Sequence, residues 1–474
     1  MDDRPGGESP LISRQGQIGA TIAAIVVAFF LVRLLGAPWP HFPPTFPDSF
    51  SYLKVATRGP FHGHFYFDER PIGYPLFLWL FGRSSTLIVA GQALSYAGAF
   101  ILLCRFVLDD LRSRAVAVTA VVFLAAVAIE PRNSMWNTLI LSEGLSMTLA
   151  VLSIAAWWRA VTRPTVRSIT RAWIATIAWI SIRDTNVLPT VLVIIPVALG
   201  FTWTEKTLDR SIRRRIAGGA AVTLVFCGYV YVSQSVTHRT QYSVHNVVGM
   251  RVLPDPQLTR WFVKQGMPLD DALAARKNKN AWDDGEAFLR APELARYRKW
   301  ARGPGGRALL LSMLEQSPNY WHRLHHELPR ILRSDNHEYD GYQVFDRFPD
   351  HWPAPLGEAR SNGTLWIELL LAGAAIVVAF VIGKRRVLAL FALVGLLSAI
   401  VDIWASYVGD PMEVNRHLVG PLARLYVFVI LAVAIGADAL VASLRKATAA
   451  VGFEEPEPEP EAGALTPEEV STDA

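Results

Sequence analysis

A run of about 20 apolar residues leaves a chain few choices, because in lipid every backbone N–H and C=O must be bonded within its own helix. Such runs recur through this sequence, at 18–36, 86–108, 115–130, 142–158, 171–182, 187–203, 217–233, 363–382, 387–404 and 418–443. They predict an all-α polytopic membrane protein with a transmembrane core of about 10 helices. The fifth run ends before Arg183 and Asp184 and is short for a span unless its ends are buried in the bundle. The segment before Ile18 is too polar for a cleavable leader, so the first span is expected to remain as an anchor. Composition agrees: 18% of the 474 residues are charged and 51% are hydrophobic, whereas about a quarter are charged in a soluble domain.

Orientation follows from the basic residues of the short loops. Arg112 and Arg114, Arg159, Arg163 and Arg167, the Arg213–Arg215 run, Lys384–Arg386, and Arg445 with Lys446 all fall on one side if the N-terminus is cytoplasmic. Both termini are therefore expected in the cytoplasm of a multi-pass plasma-membrane protein. Residues 1–17 are expected to form the cytoplasmic N-terminus and 18–233 a transmembrane core with an extracytoplasmic loop at 37–85. An extracytoplasmic domain at 234–361, C-terminal transmembrane helices at 362–446 and an acidic, disordered cytoplasmic tail at 447–474 complete the chain. The run from Phe65 to Ser85 is too short and aromatic to span and suits a helix lying at the interface. Within 234–361, the stretch 272–301 reads as helical with a break near Pro292, and 308–334 as two further short helices, so this insertion is expected to be small and mostly helical.

The net charge of +5 is spread between apolar runs, which suits basic cytoplasmic loops and gives no support to nucleic-acid binding. Cys104 and Cys227 lie within apolar runs, so neither a disulfide scaffold nor a thiolate metal cluster is available. His322, His325, His326 and Glu327 lack the H-E-x-x-H order of a zinc site and read as surface or packing residues. No P-loop or dinucleotide fingerprint is present.

Polar residues collect where this topology puts one face of the membrane: Asp48, Tyr52, Asp68, Glu69, Arg70 and Tyr74, then Glu130 to Glu143, then Arg183 to Asn186, and finally Asp402 to His417. Exposing such groups to hydrocarbon costs several kcal/mol each, so they are expected to converge on one polar site at the outer edge of the bundle. Arginines pair well with phosphate, and a carboxylate can accept the proton of an attacking hydroxyl. The substrates implied are a phosphate at the membrane surface and a hydroxyl-bearing acceptor, with apolar spans beside them to hold a lipid tail.

DSFSYL after the first span, RPIGYPLFLWLFG, LILSEGLSM and MEVNRHLVGPLARLYVFVI resemble the polytopic glycosyltransferases of the GT-C fold. These take sugars from polyprenyl-phosphate lipids outside the cytoplasm, as the aminoarabinose transferases, protein mannosyltransferases and actinobacterial cell-wall glycosyltransferases do. The resemblance covers 18–203 and the last two spans and hardly touches 234–361. It implies Asp48 as general base, with Glu69 and Glu143 as further catalytic candidates. Arg70, Arg416 and Arg183 would bind the donor phosphate, and Tyr52, Tyr74 and His417 the substrate. Asp184 after Arg183 departs from the usual Arg-Pro, and His417 stands where an aromatic neighbour is usual. The implied activity is an inverting transfer from a polyprenyl-phosphate sugar to an extracytoplasmic cell-envelope acceptor. No metal site or other cofactor is indicated, and a divalent cation is left open.

Several residues also have plainer readings. Asp48 suits the N-cap of a helix beginning at Ser49, Glu143 a cap or a partner of Arg132, and Arg70 a side chain reaching to lipid headgroups. At the start of a membrane helix, Arg416 and His417 call for a buried ionic partner or a bound anion. A transporter or lipid flippase, with the same charges forming a gate, is the alternative function, although no inverted repeat is visible. A non-catalytic envelope scaffold is a third.

Overall fold

The long apolar runs form helices, and among the described residues there is no β-strand. The computed structural model describes residues 46–204, 208–237, 239–333, 362–382 and 385–450. The expected first span at 18–36, the beginning of the 37–85 loop, residues 334–361 and the acidic tail lie outside the described residues. In chain order come α1 (Pro47–Arg58), the short α2 (Gly73–Leu80), α3 (Ser85–Asp110), α4 (Arg114–Ile129), α5 (Ser142–Thr162), α6 (Val166–Ile180), α7 (Asp184–Thr202) and α8 (Arg210–Val236). A helical unit follows with α9 (Thr240–Val247), α10 (Pro256–Lys264), α11 (Gly306–Glu315) and α12 (Ser317–Arg333). The bundle resumes with α13 (Asn362–Val381), α14 (Arg386–Gly409) and α15 (Val414–Ala450).

Among the described residues seven helices, α3, α5, α7, α8, α13, α14 and α15, are long and apolar enough to cross a membrane. Two runs expected to span are shorter. α4 has 16 residues, and α6 has 15 because a capping box between Thr165 and Ser168 starts it at Val166. Ala172, Trp173, Thr176 and Trp179 bury one side of α6 against α5 and α8, which supplies the buried ends that its length requires. α7 is irregular, opening on a 3₁₀ turn at Asp184–Asn186 and widening to a π turn at Thr190–Ile194. The 37 residues of α15 rise about 55 Å at 1.5 Å each, well beyond a hydrocarbon core of about 30 Å. Its packing on α4, α13 and α14 makes it the spine of the bundle.

The two ends of the bundle are chemically distinct. At the far ends of α3 and α5, Asp110 pairs with Arg159 at 3.2 Å and Arg163 at 3.0 Å. Nearby, Asp438 of α15 pairs with Arg385 at 2.8 Å and accepts the Ser113 N–H at 2.6 Å. The opposite end carries α1, α2 and the first turns of α5, α7 and α15. The unit of α9 to α12 joins the same hydrophobic core as the bundle through Val244, Val248, Phe262, Tyr320 and Leu324. Its 272–301 stretch is broken near Pro292 by a 3₁₀ turn and also, beyond expectation, by non-helical turns between Ala274 and Asp283.

Candidate active site

Two glycines explain how the site is assembled. The Gly73 N–H donates to the carbonyl of Ser181 at 2.8 Å, and a Cβ there would lie 2.2 Å from Ser181 Oγ. Only glycine therefore lets α2 dock on the end of α6. Gly144 likewise brings α5 against the backbone of Trp136, where a Cβ would lie 2.6 Å from the carbonyl oxygen. These contacts fix the segments that carry Arg70 and Glu143. Tyr52 and Tyr74, both buried, meet edge to face at 4.9 Å beneath them. The Tyr52 hydroxyl donates to Ser142 Oγ at 2.9 Å and that of Tyr74 to Gln92 Oε1 at 2.8 Å.

On this floor α1, the Arg70 loop, α5, α7 and α15 bring an ion network together. Helix α1 begins at Pro47, with Phe46 as its N-cap, so Asp48 stands in its first turn and does not cap it. Its carboxylate accepts from Arg70 and, through its other oxygen at 2.8 Å, from Arg416. Arg70 also donates to Ser51 Oγ at 2.8 Å and lies 4.6 Å above the Tyr52 ring, so it does not reach to lipid headgroups. Arg416 is the hub: it binds Glu143, Asp48 and, at 2.7 Å, Glu413. Glu143, 3% exposed, is the buried ionic partner that a base at this helix start calls for. Arg183 stands 3.4 Å from Glu143, and its guanidinium meets His417 Nδ1 at 2.8 Å. His417 in turn faces Asp410 at 3.6 Å, and Asp410 accepts from Asn246 of α9 at 3.0 Å.

Accessibility separates the carboxylates. The Asp48 side chain is 31% exposed, against 3% for Glu143, which is covered by Arg416 and Arg183. Burial would raise the Asp48 pKa, but Arg70 and then Arg416 outweigh it and hold the carboxyl well below the usual carboxylate range. Glu69 is exposed and makes no ion pair among the described residues, while its neighbour Asp68 pairs with Arg58. Glu143 pairs with Arg416 and Arg183; the side chain of Arg132, its other expected partner, lies outside the described residues. Asp402, expected at the membrane face, is instead buried within α14 and joined to Arg424 of α15. Among the described residues no group of three or more His, Cys, Asp or Glu side chains is arranged to hold a metal ion.

Arg424, outside the site residues expected from the sequence, is an arginine within an apolar run, which is itself a signal. Its guanidinium lies 4.6 Å from the Trp179 ring. A partly open apolar cavity between α5, α7, α14 and α15 has Arg424 on its wall, and several lining side chains, including Val197, Leu390 and Val394, are only half-buried. A second, small polar cavity is lined by Glu143, Arg183 and His417. Ala150, Trp179 and Arg424 line both. An apolar chamber thus adjoins a polar one that borders the ion network.

No family model matches the chain, and no curated protein matches it. Among solved structures it is similar to the archaeal oligosaccharyltransferase AglB from Archaeoglobus fulgidus, in complex with an inhibitory peptide and a dolichol-phosphate. The identity is 14% and the TM-score 0.42, over 92% of this chain and 52% of that one. It is also similar to ArnT from Cupriavidus metallidurans bound to undecaprenyl phosphate, at 14% identity and a TM-score of 0.32, over 92% of this chain and 79% of that one. The chain thus spans about half the length of AglB.

Proposed function

We propose that this chain is a membrane glycosyltransferase that moves a sugar from a polyprenyl-phosphate donor to an acceptor hydroxyl at the extracytoplasmic face. One observation carries the reading: an accessible carboxylate, Asp48, belongs to a network of three arginines, and one of these, Arg183, lines a small polar cavity that adjoins an apolar one. The apolar chamber suits an isoprenoid tail, and Arg183, Arg416 and Arg70 suit its phosphate.

In the proposed reaction the acceptor oxygen attacks the anomeric carbon as its proton passes to Asp48. The bond from that carbon to the phosphate oxygen breaks, and its electron pair leaves with the phosphate. One base and an anion clamp suffice, because the leaving group needs no proton. Attack opposite the phosphate inverts the anomeric centre. With Arg70 and Arg416 bound to it, Asp48 is a weak base. An arriving phosphate competes for those arginines, so donor binding raises the proton affinity of Asp48 when it is needed. Glu143, shut behind two arginines, positions Arg416 and Arg183 in this scheme.

The topology belongs to the same proposal. The site end, with the α9 to α12 unit, faces outward, and the end bearing Arg159, Arg163 and Arg385 faces the cytoplasm. The test is reconstitution of the full chain with a panel of polyprenyl-phosphate sugars and chromatographic detection of released lipid phosphate. Transfer from a water-soluble nucleotide sugar, with none from the lipid donors, would overturn the proposal.

A further inference from the structure

Above the ion network the helical unit presents a feature that the transfer reaction leaves unused. The rings of Tyr242, in α9, and Trp282 lie nearly parallel, 14° apart with centroids 5.2 Å from each other. Trp282 is 48% exposed, whereas Trp300 of the same unit is 6% exposed, so the stack is not part of the unit's core.

The loop that carries Trp282 is closely specified. The Ala281 N–H donates to Asn246 Oδ1 at 2.8 Å, and the Trp282 N–H donates to Asn280 Oδ1 at 2.8 Å. Asn278 before it and Asp284, Gly285 and Glu286 after it have left-handed backbones, with φ of 61°, 52°, 69° and 64°. Such conformations in non-glycine residues cost on the order of 1 kcal/mol or more each and tend to persist at functional sites. Asn246 also ties this loop to the site, because its other amide atom donates to Asp410, which faces His417. One side chain therefore sets the height of Trp282 against the ion network.

The surroundings of the stack identify what it suits. Burial raises the Tyr242 pKa, the Glu69 charge adds to this, Arg239 opposes it, Glu286 adds and Arg70 opposes. Charges of both signs therefore act on the phenol electrostatically, and one belongs to Arg70, the partner of Asp48. The negative face of an aromatic ring attracts the partly positive C–H face of a sugar. The nearby carboxylates and guanidinia are of the kinds that bond sugar hydroxyls. A lipid chain would leave these charges unpaired, and the mixed signs give no net attraction for a polyanion.

We propose that Tyr242 and Trp282 form a stacking platform for a saccharide acceptor, holding one sugar ring while a neighbouring hydroxyl is presented to Asp48. This rests on the transferase reading and gives its acceptor a chemical class, a neutral glycan. It also gives Glu69 a place beside the acceptor.

The test uses the full chain in lipid nanodiscs, with maltohexaose, cellohexaose and chitohexaose as probes and saturation-transfer NMR as the readout. At least one probe should bind. Trp282→Ala should then weaken it by about three- to tenfold, the range expected for losing one stacked ring, while Trp282→Phe should hold it within about threefold of wild type. Thermal unfolding of both variants shows whether the fold is retained, as exposure of Trp282 leads us to expect. Absence of binding by all three probes, or a loss below threefold in a folded Trp282→Ala, would overturn the platform. The two readings fail separately. Binding that depends on Trp282, with no lipid phosphate released by the wild type from any donor, would keep the platform and end the transferase proposal.

Discussion

Replacing Asp48 by Asn keeps the side-chain volume and one acceptor oxygen while removing the charge shared by Arg70 and Arg416. A hydrogen bond to a buried charged group contributes about 1.5 to 3 kcal/mol. Asp48 is 31% exposed, and solvent screens its pairs. A stability loss of roughly 1 to 2 kcal/mol is therefore expected. Against a typical folding free energy of about 5 to 15 kcal/mol, this leaves nearly every molecule folded. Loss of a general base, in contrast, slows turnover by roughly 100- to 10,000-fold, or about 3 to 5 kcal/mol in the barrier. Purified variant and wild type should be compared for lipid phosphate released at saturating donor and for thermal unfolding in the same detergent. Arg70→Gln supplies the contrast, since it should weaken donor binding as well as transfer. Turnover by Asp48→Asn within about tenfold of wild type would refute the assignment. Asp48 would then be an ion-pair strut, and the base would have to be sought at Glu143 or Glu69.

Within the bundle, Arg424→Leu should destabilise by about 3 to 5 kcal/mol because it strands the Asp402 carboxylate, and the double change Asp402→Leu/Arg424→Leu should recover much of the loss. Thermal unfolding of both single variants and the double variant measures the coupling, which near-additive losses would deny. Asp410 lies between α14 and α15, and burial pushes its pKa up to about 6. The folded state thus holds a proton that the unfolded chain releases near pH 4. Its stability contribution is complete below that value and lost as pH rises through about 6. The difference in Tm between pH 4.5 and 7.5 should therefore shrink in Asp410→Asn, and an unchanged difference would remove Asp410 as its source. For topology, a cysteine at Arg214 should resist an impermeant thiol reagent added outside, whereas one at Trp282 should react. Strong labelling at Arg214 would reverse the orientation.

The long helices were legible because hydropathy in lipid depends on the segment itself, whereas the ends and pairings depend on neighbours. The start of α6 rests on Thr165 and Ser168, a local signal that begins the helix at Val166, five residues before the run judged by hydropathy alone. Pro47, a favoured first helical residue, marks α1 as beginning before Asp48 and so speaks against the cap reading. Arg70, Gly73 and Tyr74 could be picked out as a motif, but only the fold shows that Gly73 must pass Ser181 closely. The partners of Arg416 were beyond the sequence, since Glu143 and Asp48 reach it from other elements. The same holds for Asn246 with Asp410, and for Arg424 with Asp402 one helix away. The π turn in α7 carries no hydropathy signal at all.

The half-buried wall of the apolar cavity changes how the concentration of its occupant should be counted. A molecule entering between membrane helices arrives by diffusion in two dimensions, so the relevant quantity is its mole fraction among the surrounding lipids. Ordinary acyl chains compete for the same cavity at vast excess, and adding detergent dilutes the occupant without changing its amount in the tube. An apparent KM for a lipid donor should therefore rise with the detergent-to-donor ratio and become constant when expressed per mole of amphiphile. Membranes that concentrate a scarce isoprenoid in patches would then set the rate by lateral sorting as much as by supply.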